Sequence, residues 1–265
     1  MTSSNPRTAL VTGASGGIGE AFAEILAADG YDPVLVARRA GELERVRNRL
    51  TGRYGRSATC VPLDLSRAGA GQMLAGELAA RGIAPEIVVN NAGFGLAGAA
   101  VSLAAEEQLS MIDLNVRCLT DLTLRFLPEM LRRRAGGVIN VASVAAFLPG
   151  PNMAVYFATK AYVVSFSDAL HEEVKASGVN VMSLCPGPVA TSFQARAGLR
   201  SAEQLSRLRV PSAAAVAAEG YAGFKAGARQ VIPGLANKLV AYAGRGAPRR
   251  VVLPIASHVT SRAKA

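Results

Sequence analysis

Short apolar runs alternate along this chain with longer segments of helical period, and that alternation constrains the fold more than any other feature. The runs Thr8–Thr12, Pro33–Ala37, Ala58–Pro62, Ile87–Asn90, Val138–Ala142 and Val181–Leu184 read as strands, with Gln230–Ile232 as a seventh. Between them, Gly17–Asp29, Glu42–Tyr54, Glu106–Arg134 and Val155–Ser177 carry helical spacing. Strands separated by helices in this way are the pattern of βαβ units, whose crossovers cover both faces of a parallel sheet. The sequence therefore predicts an α/β fold: a doubly wound, mostly parallel seven-stranded sheet flanked by helices on both faces. Pro128 should kink or end the third helix. No Pro/Ser-rich linker, repeat or low-complexity block divides the chain, so a single domain over residues 1–265 is expected.

Half of the 265 residues are apolar and 18% are charged, which fits a buried core and excludes a disordered or charged tail. A membrane span needs roughly 18–20 uninterrupted apolar residues. The longest apolar segment, Val138 to Pro149, is broken by Asn140 and Ser143. The start MTSSNPR leaves no room for a signal peptide before the first strand, so the cytoplasm is the expected compartment. Cys60, Cys118 and Cys185 have no ligand-like spacing and read as buried reduced thiols. With only His171 and His258 beside them, metal-free chemistry is expected. The net charge of +10 raises the question of nucleic acid. The arginines are scattered, however, and no aromatic residues interleave with them as a stacking platform requires, so no nucleic-acid partner is expected.

The turn after the first strand reads Thr12-Gly-Ala-Ser-Gly-Gly-Ile-Gly19. Glycines at 13, 17 and 19 allow a sharp turn and a close approach to a pyrophosphate seated on the following helix N-terminus. About twenty residues onward, an acid would hold the ribose 2′-hydroxyl of NAD. The chain instead has Arg38 and Arg39, which suit a 2′-phosphate and hence NADP(H) over NAD(H). The alternative is a pair of surface arginines opening a loop.

Tyr156 and Lys160 stand four apart and so share one helix face. A free phenol, with a pKa of about 10, is a poor base at neutral pH. A nearby cation favours the phenolate and would bring the group toward the range useful for general acid–base catalysis. Ser143 lies at the end of the preceding strand, where ligands bind in such sheets, and Asn115 and Asn90-Asn-Ala-Gly93 add polar groups at the same edge. Taken singly, Ser143 could cap a turn, Asn115 could bond only to backbone, and Asp64 could merely begin the turn after the third strand.

Together these residues resemble the short-chain dehydrogenase/reductase family in its compact one-domain branch. The shared motifs are Thr12–Gly19, Asp64, Asn90–Gly93, Asn115, Ser143, Tyr156-x-x-x-Lys160 and Pro186-Gly-Pro-Val-Ala-Thr191, in the family's order. The resemblance implies a Rossmann-type fold and a role for each position. Tyr156 would exchange a proton with the substrate oxygen. Lys160 would lower the tyrosine pKa and hold the nicotinamide ribose. Ser143 would orient the substrate oxygen, and Asn115 would anchor a water linking Lys160 to solvent. Gly13, Ser15, Gly17, Ile18 and Gly19 would cradle the pyrophosphate. Asp64 would meet the adenine amino group, and Asn91, Ala92 and Gly93 would line the adenosine ribose. Pro186, Gly187, Val189 and Thr191 would hold the nicotinamide amide and pyrophosphate.

The implied activity is that of an NADP-dependent carbonyl reductase or secondary alcohol dehydrogenase. An epimerase or dehydratase on the same frame, or an NADP-sensing binding protein, are the alternatives. Phe94–Leu96 and Phe147–Met153 are largely apolar, which points to a hydrophobic ketone or alcohol as the small-molecule partner. Residues 192–210 would form a substrate lid, on which Arg196 or Arg200 would either greet an anionic substrate or stay solvated. A homodimer or homotetramer is expected from the helices Glu106–Arg134 and Val155–Ser177. The second carries Val163, Val164, Phe166, Ala169 and Val174 on more than one face, suggesting burial beyond one subunit's core.

Overall fold

A computed structural model describes residues 7–191, 193, 197, 198 and 210–262. Seven strands run in parallel: β1 Thr8–Thr12, β2 Asp32–Ala37, β3 Thr59–Pro62, β4 Ile87–Asn90, β5 Gly137–Val141, β6 Asn180–Leu184 and β7 Gln230–Val231. Their order in the sheet is β3-β2-β1-β4-β5-β6-β7, with Val11 beside both Leu35 and Val89. The sheet and its Rossmann-type winding agree with the sequence reading, strand by strand.

The strands read as nearly continuous apolar runs because both faces are covered. On one face Ala9, Val11, Leu35, Val89, Ile139 and Met182 pack under α1 Gly17–Ala28 and α2 Ala40–Tyr54. On the other, Leu10, Val34, Val88, Val138 and Val181 meet α3 Ala70–Ala80 and the long helices that follow β4. Successive side chains alternate between the faces, as the pleat requires. The chain leaves β1 toward β2 and β3, then returns to the other side of β1 as β4. This reversal opens a crevice at the strand C-termini between β1 and β4, the place where such sheets receive ligands.

The helix expected over Glu106–Arg134 is not one uniform helix. It consists of α4 Ala105–Ile112, a wide π-turn Asp113–Cys118 and α5 Leu119–Arg133. Pro128 neither ends nor separates the last of these. Its ring displaces a bond to Leu124, and both residues are exposed, so the lost bond lies on the outer side of the helix. The next helix, α6, covers Ala154–Val174 and ends in a short 3₁₀ turn at Lys175–Ser177. Of its apolar residues offered as oligomer contacts, Val163, Val164 and Val174 are buried in this chain's own core, while Phe166 is half-buried and Ala169 exposed. Among the described residues, three further helices follow: α7 Ala213–Lys225, α8 Leu235–Gly246 and α9 Arg249–Arg262. Among the described residues, no helix is long and apolar enough to cross a membrane.

Candidate active site

The crevice is laced together at its floor by Thr12, a residue to which the sequence reading gave no individual role. Its Oγ1 accepts hydrogen bonds from the backbone N–H of Asn91 (2.9 Å) and Ala92 (3.0 Å), and donates to the Val89 carbonyl (3.2 Å). The Asn91 amide donates back to the Thr12 carbonyl at 2.9 Å, so this side chain pins β4 to the glycine turn. A Cβ on Gly19 would stand 2.4 Å from the Gly13 carbonyl oxygen, and one on Gly17, at φ +60°, would stand 3.1 Å from Thr191. Only glycine fits either place. The first turn of α1 has no side-chain cap. Its free N–H groups therefore form an anion cradle at the positive end of the helix, with Thr191 closing the far side. These residues fit a dinucleotide pyrophosphate.

Arg38 and Arg39 leave the end of β2 exposed, and among the described residues neither makes an ion pair. Arg39 donates to Ser15 Oγ at 3.3 Å, which ties it to the glycine turn. Asp64 opens the turn after β3, where its Oδ1 accepts from the Ser66 N–H (3.1 Å) and hydroxyl (2.7 Å). Burial alone would raise its pKa, but the Ser66 bonds and the nearby Arg38 and Arg67 hold it below the ordinary value. Val189 is buried in the core, and Ile18, half-buried, packs against it. Pro186 accepts from the Val144 N–H at 3.0 Å, and Gly187 lies against Asn237 of α8. Asn237 is a further wall of the site, placed by a helix that the sequence reading did not resolve.

The catalytic candidates converge at the C-terminal ends of β4 and β5. Ser143 caps the 3₁₀ turn Val144–Phe147, its Oγ accepting from the Ala145 N–H (3.2 Å) and donating toward the Pro186 carbonyl (3.4 Å). Tyr156 and Lys160 stand one turn apart on α6 and are 8% and 5% exposed. The Lys160 ammonium donates to the Val141 carbonyl at 2.8 Å and lies 5.9 Å from the centre of the Tyr156 ring. Asn115 is turned inward by the π-turn. Its Oδ1 accepts from the Phe94 N–H (3.1 Å), and its Nδ2 donates to the Phe94 carbonyl (3.0 Å) and to Thr159 Oγ1 (3.1 Å). Thr159 in turn donates to the Tyr156 carbonyl at 2.7 Å. One buried amide thus couples the Asn91–Phe94 loop to the tyrosine helix, and the Gly93 backbone passes close beside Asn115 and Lys160.

The electrostatics differ from the sequence expectation. Burial pushes the Tyr156 phenol up to about 12, partly offset by Ser143, and burial pulls the Lys160 ammonium down to about 8. Burial among apolar groups outweighs the nearby Lys160, whose ammonium is bonded to the Val141 carbonyl, so the phenol is not brought below its ordinary value. Phe193 packs on that ring with centroids 5.5 Å apart, and Phe157 meets it edge-on at 6.1 Å. Met111, Met153, Phe94 and Leu96 complete the apolar wall. Of the expected lid over 192–210, Phe193, Ala197, Gly198 and Val210 are described, and Arg196 and Arg200 lie outside the described residues. Ala197 accepts from the Ala97 N–H at 2.9 Å, holding this segment against the Phe94–Ala97 loop.

The model of the short chain dehydrogenase family matches residues 7–201. The chain belongs to that family. As a short-chain dehydrogenase it is 33% identical over 189 residues to a mouse very-long-chain 3-oxoacyl-CoA reductase, covering 70% of this chain and 60% of the mouse protein's length. Among solved structures it resembles a short-chain dehydrogenase from Sphingobium yanoikuyae in complex with NADPH. The TM-score is 0.80 with 31% identity over 94% of this chain and 95% of that one. A bulky-bulky ketone specific alcohol dehydrogenase from Comamonas testosteroni superposes with TM-score 0.76 and 28% identity over 88% of each chain. This short-chain dehydrogenase is thus an oxidoreductase of a family acting on C–OH and C=O groups, built on the same frame as both solved enzymes.

Proposed function

We propose that this short-chain dehydrogenase is an NADP(H)-dependent carbonyl reductase or secondary alcohol dehydrogenase for a hydrophobic ketone or alcohol. The observation that carries the reading is the buried Tyr156, its phenol beside Ser143 and its ring 5.9 Å from the Lys160 ammonium, in an apolar pocket next to an anion cradle. NADPH, when bound, supplies the hydride. A phenol held near 12 is fully protonated at neutral pH, so Tyr156 is a ready proton donor to a carbonyl oxygen. Its proton goes to the oxygen that becomes the alcohol, and the Ser143 hydroxyl orients that oxygen by a second hydrogen bond. Lys160, a cation below about pH 8, is placed to stabilise the phenolate left behind and would hold the nicotinamide ribose. Asn115 holds the site together and lies on the path by which Lys160 exchanges protons with solvent.

Arg38 and Arg39 would select the 2′-phosphate of NADP: among the described residues neither is in an ion pair, and a charge-assisted hydrogen bond contributes about 1.5–3 kcal/mol. The NADPH complex of the Sphingobium enzyme and the ketone specificity of the Comamonas enzyme support the cofactor and substrate class. We also propose a single domain that assembles as a homodimer or homotetramer in the cytoplasm. Leu109, Ile112, Leu124 and Tyr162 are exposed along α4 to α6 and would be covered by a second copy. The test is nicotinamide absorbance across a panel of hydrophobic ketones, with wild type and Arg38→Asp. NADPH should be preferred by at least about tenfold, and Arg38→Asp should weaken NADPH while sparing NADH. Equal use of both cofactors would reject the assignment to NADP, and absence of net cofactor oxidation would favour an epimerase or dehydratase.

A further inference from the structure

The last two helices combine two features found together nowhere else in the described fold. Of thirteen exposed large apolar side chains, seven lie on α8 and α9. Beyond Glu219 the chain has eight lysines and arginines and no acidic residue. On α8, Leu235, Leu239 and Tyr242 recur at i, i+4 and i+7, 79%, 71% and 63% exposed. They form one stripe, opposite the face on which Ala241 is buried and Gly244 touches the Phe147 carbonyl. On α9, Val251 and Ile255 make a second exposed pair one turn apart. Lys238, Arg249 and Arg250 are exposed around these residues and make no ion pair among the described residues. Lys225 and Arg229, by contrast, are engaged by Asp29 and Asp168.

We propose that α8 and α9 seat the protein on the surface of an anionic phospholipid bilayer. The apolar stripe enters the boundary between headgroups and acyl chains, and the cations meet lipid phosphates at its edge. Charge decides between occupants. A second copy placed on this face would set the same unpaired cations against each other, with no carboxylate of either helix to answer them. An anionic lipid surface satisfies both the apolar and the charged parts. Neither helix is long enough to cross a bilayer, so the contact is interfacial. α8 rests on Phe147 and sets Asn237 beside Gly187 with its other face, so the seated stripe points away from the candidate active site. The inference stands on these two helices and does not depend on the proposed chemistry.

Co-sedimentation of the full chain with vesicles tests it, using pure phosphatidylcholine and phosphatidylcholine with about 30% phosphatidylglycerol. The expected result is binding to the anionic vesicles alone, weakening steeply as salt rises from about 0.05 to 0.5 M. Lys238→Gln, Arg249→Gln and Arg250→Gln should each lower the partition coefficient about fivefold, and roughly 100-fold together. The triple variant Leu235→Ser, Leu239→Ser, Tyr242→Ser should lower it at least about tenfold, with circular dichroism and sedimentation mass unchanged. Equal binding to both vesicles, or binding undiminished in both triple variants, overturns the proposal. So does a change in sedimentation mass in the serine variant, which assigns the face to a second copy. Binding to polyglutamate but to neither vesicle assigns it to an acidic protein.

Discussion

Replacing Lys160 by Met removes a cation from a place where 5% of the residue reaches solvent. Burial lowers the ammonium from its ordinary 10.5 to about 8, which at about 1.4 kcal/mol per pKa unit costs the fold roughly 3 kcal/mol at neutral pH. Both folded and unfolded chains are protonated there, so the full cost is present below about pH 8. It is relieved as pH rises toward 10.5, where the folded lysine is neutral and the unfolded one follows. Met fills the space without charge but forfeits the 2.8 Å bond to the Val141 carbonyl, a loss of about 1–3 kcal/mol that does not depend on pH. At pH about 7 the variant should therefore be as stable as the wild type or up to about 2 kcal/mol more stable. Near pH 10.5 it should be about 1–3 kcal/mol less stable, as lysine's handicap disappears. Urea unfolding of both proteins across this range, at one protein concentration, measures the difference directly. Tyr156 titrates in both and cancels. A stability difference that stays flat from pH 7 to pH 10.5 would refute a buried, pKa-lowered ammonium.

The same variant should lose turnover and bind NADPH more weakly, measured by fluorescence titration, because the ribose contact goes with the cation. Asn115→Ala removes three hydrogen bonds that join Phe94 to Thr159, so it should destabilise by about 1–3 kcal/mol and lower kcat. Denaturant titration and steady-state kinetics check this, and normal kcat with lowered stability would restrict Asn115 to a structural role. Leu124→Glu places a charge on the face assigned to a second copy, and sedimentation velocity should show the assembly falling to monomer. A wild-type monomer at micromolar concentration would reject that interface.

The strands were legible because burial on both faces leaves unbroken apolar runs such as Leu10–Val11 and Val34–Val36, which little else in a sequence imitates. The glycine turn and the Tyr156–Lys160 spacing were legible because close backbone approach and a shared helix face each demand particular residues. The π-turn at Asn115 was not, since one extra residue in a turn leaves the spacing of the apolar positions almost unchanged. That the helix runs on past Pro128 was not legible either, because whether a proline ends a helix depends on whether the residues around the displaced bond are exposed, which spacing does not report. Val163 and Val164 looked like interface residues only because the packing of α6 under β5 and β6 was not visible. The direction of the Tyr156 shift depends on Phe193 and Phe94, which are distant in sequence and meet only in the fold.

Tyr156→Phe deletes one oxygen and keeps the ring on which Phe193 packs at 5.5 Å, so the pocket and the anion cradle should survive. The decisive measurement is single-turnover reduction of a ketone found in the panel, with NADPH already bound, followed at the nicotinamide absorbance. If Tyr156 is the proton donor, the rate should fall by roughly 10²–10⁴-fold while the NADPH Kd moves by no more than about twofold. Hydride transfer at a near wild-type rate in Tyr156→Phe would contradict the mechanism outright.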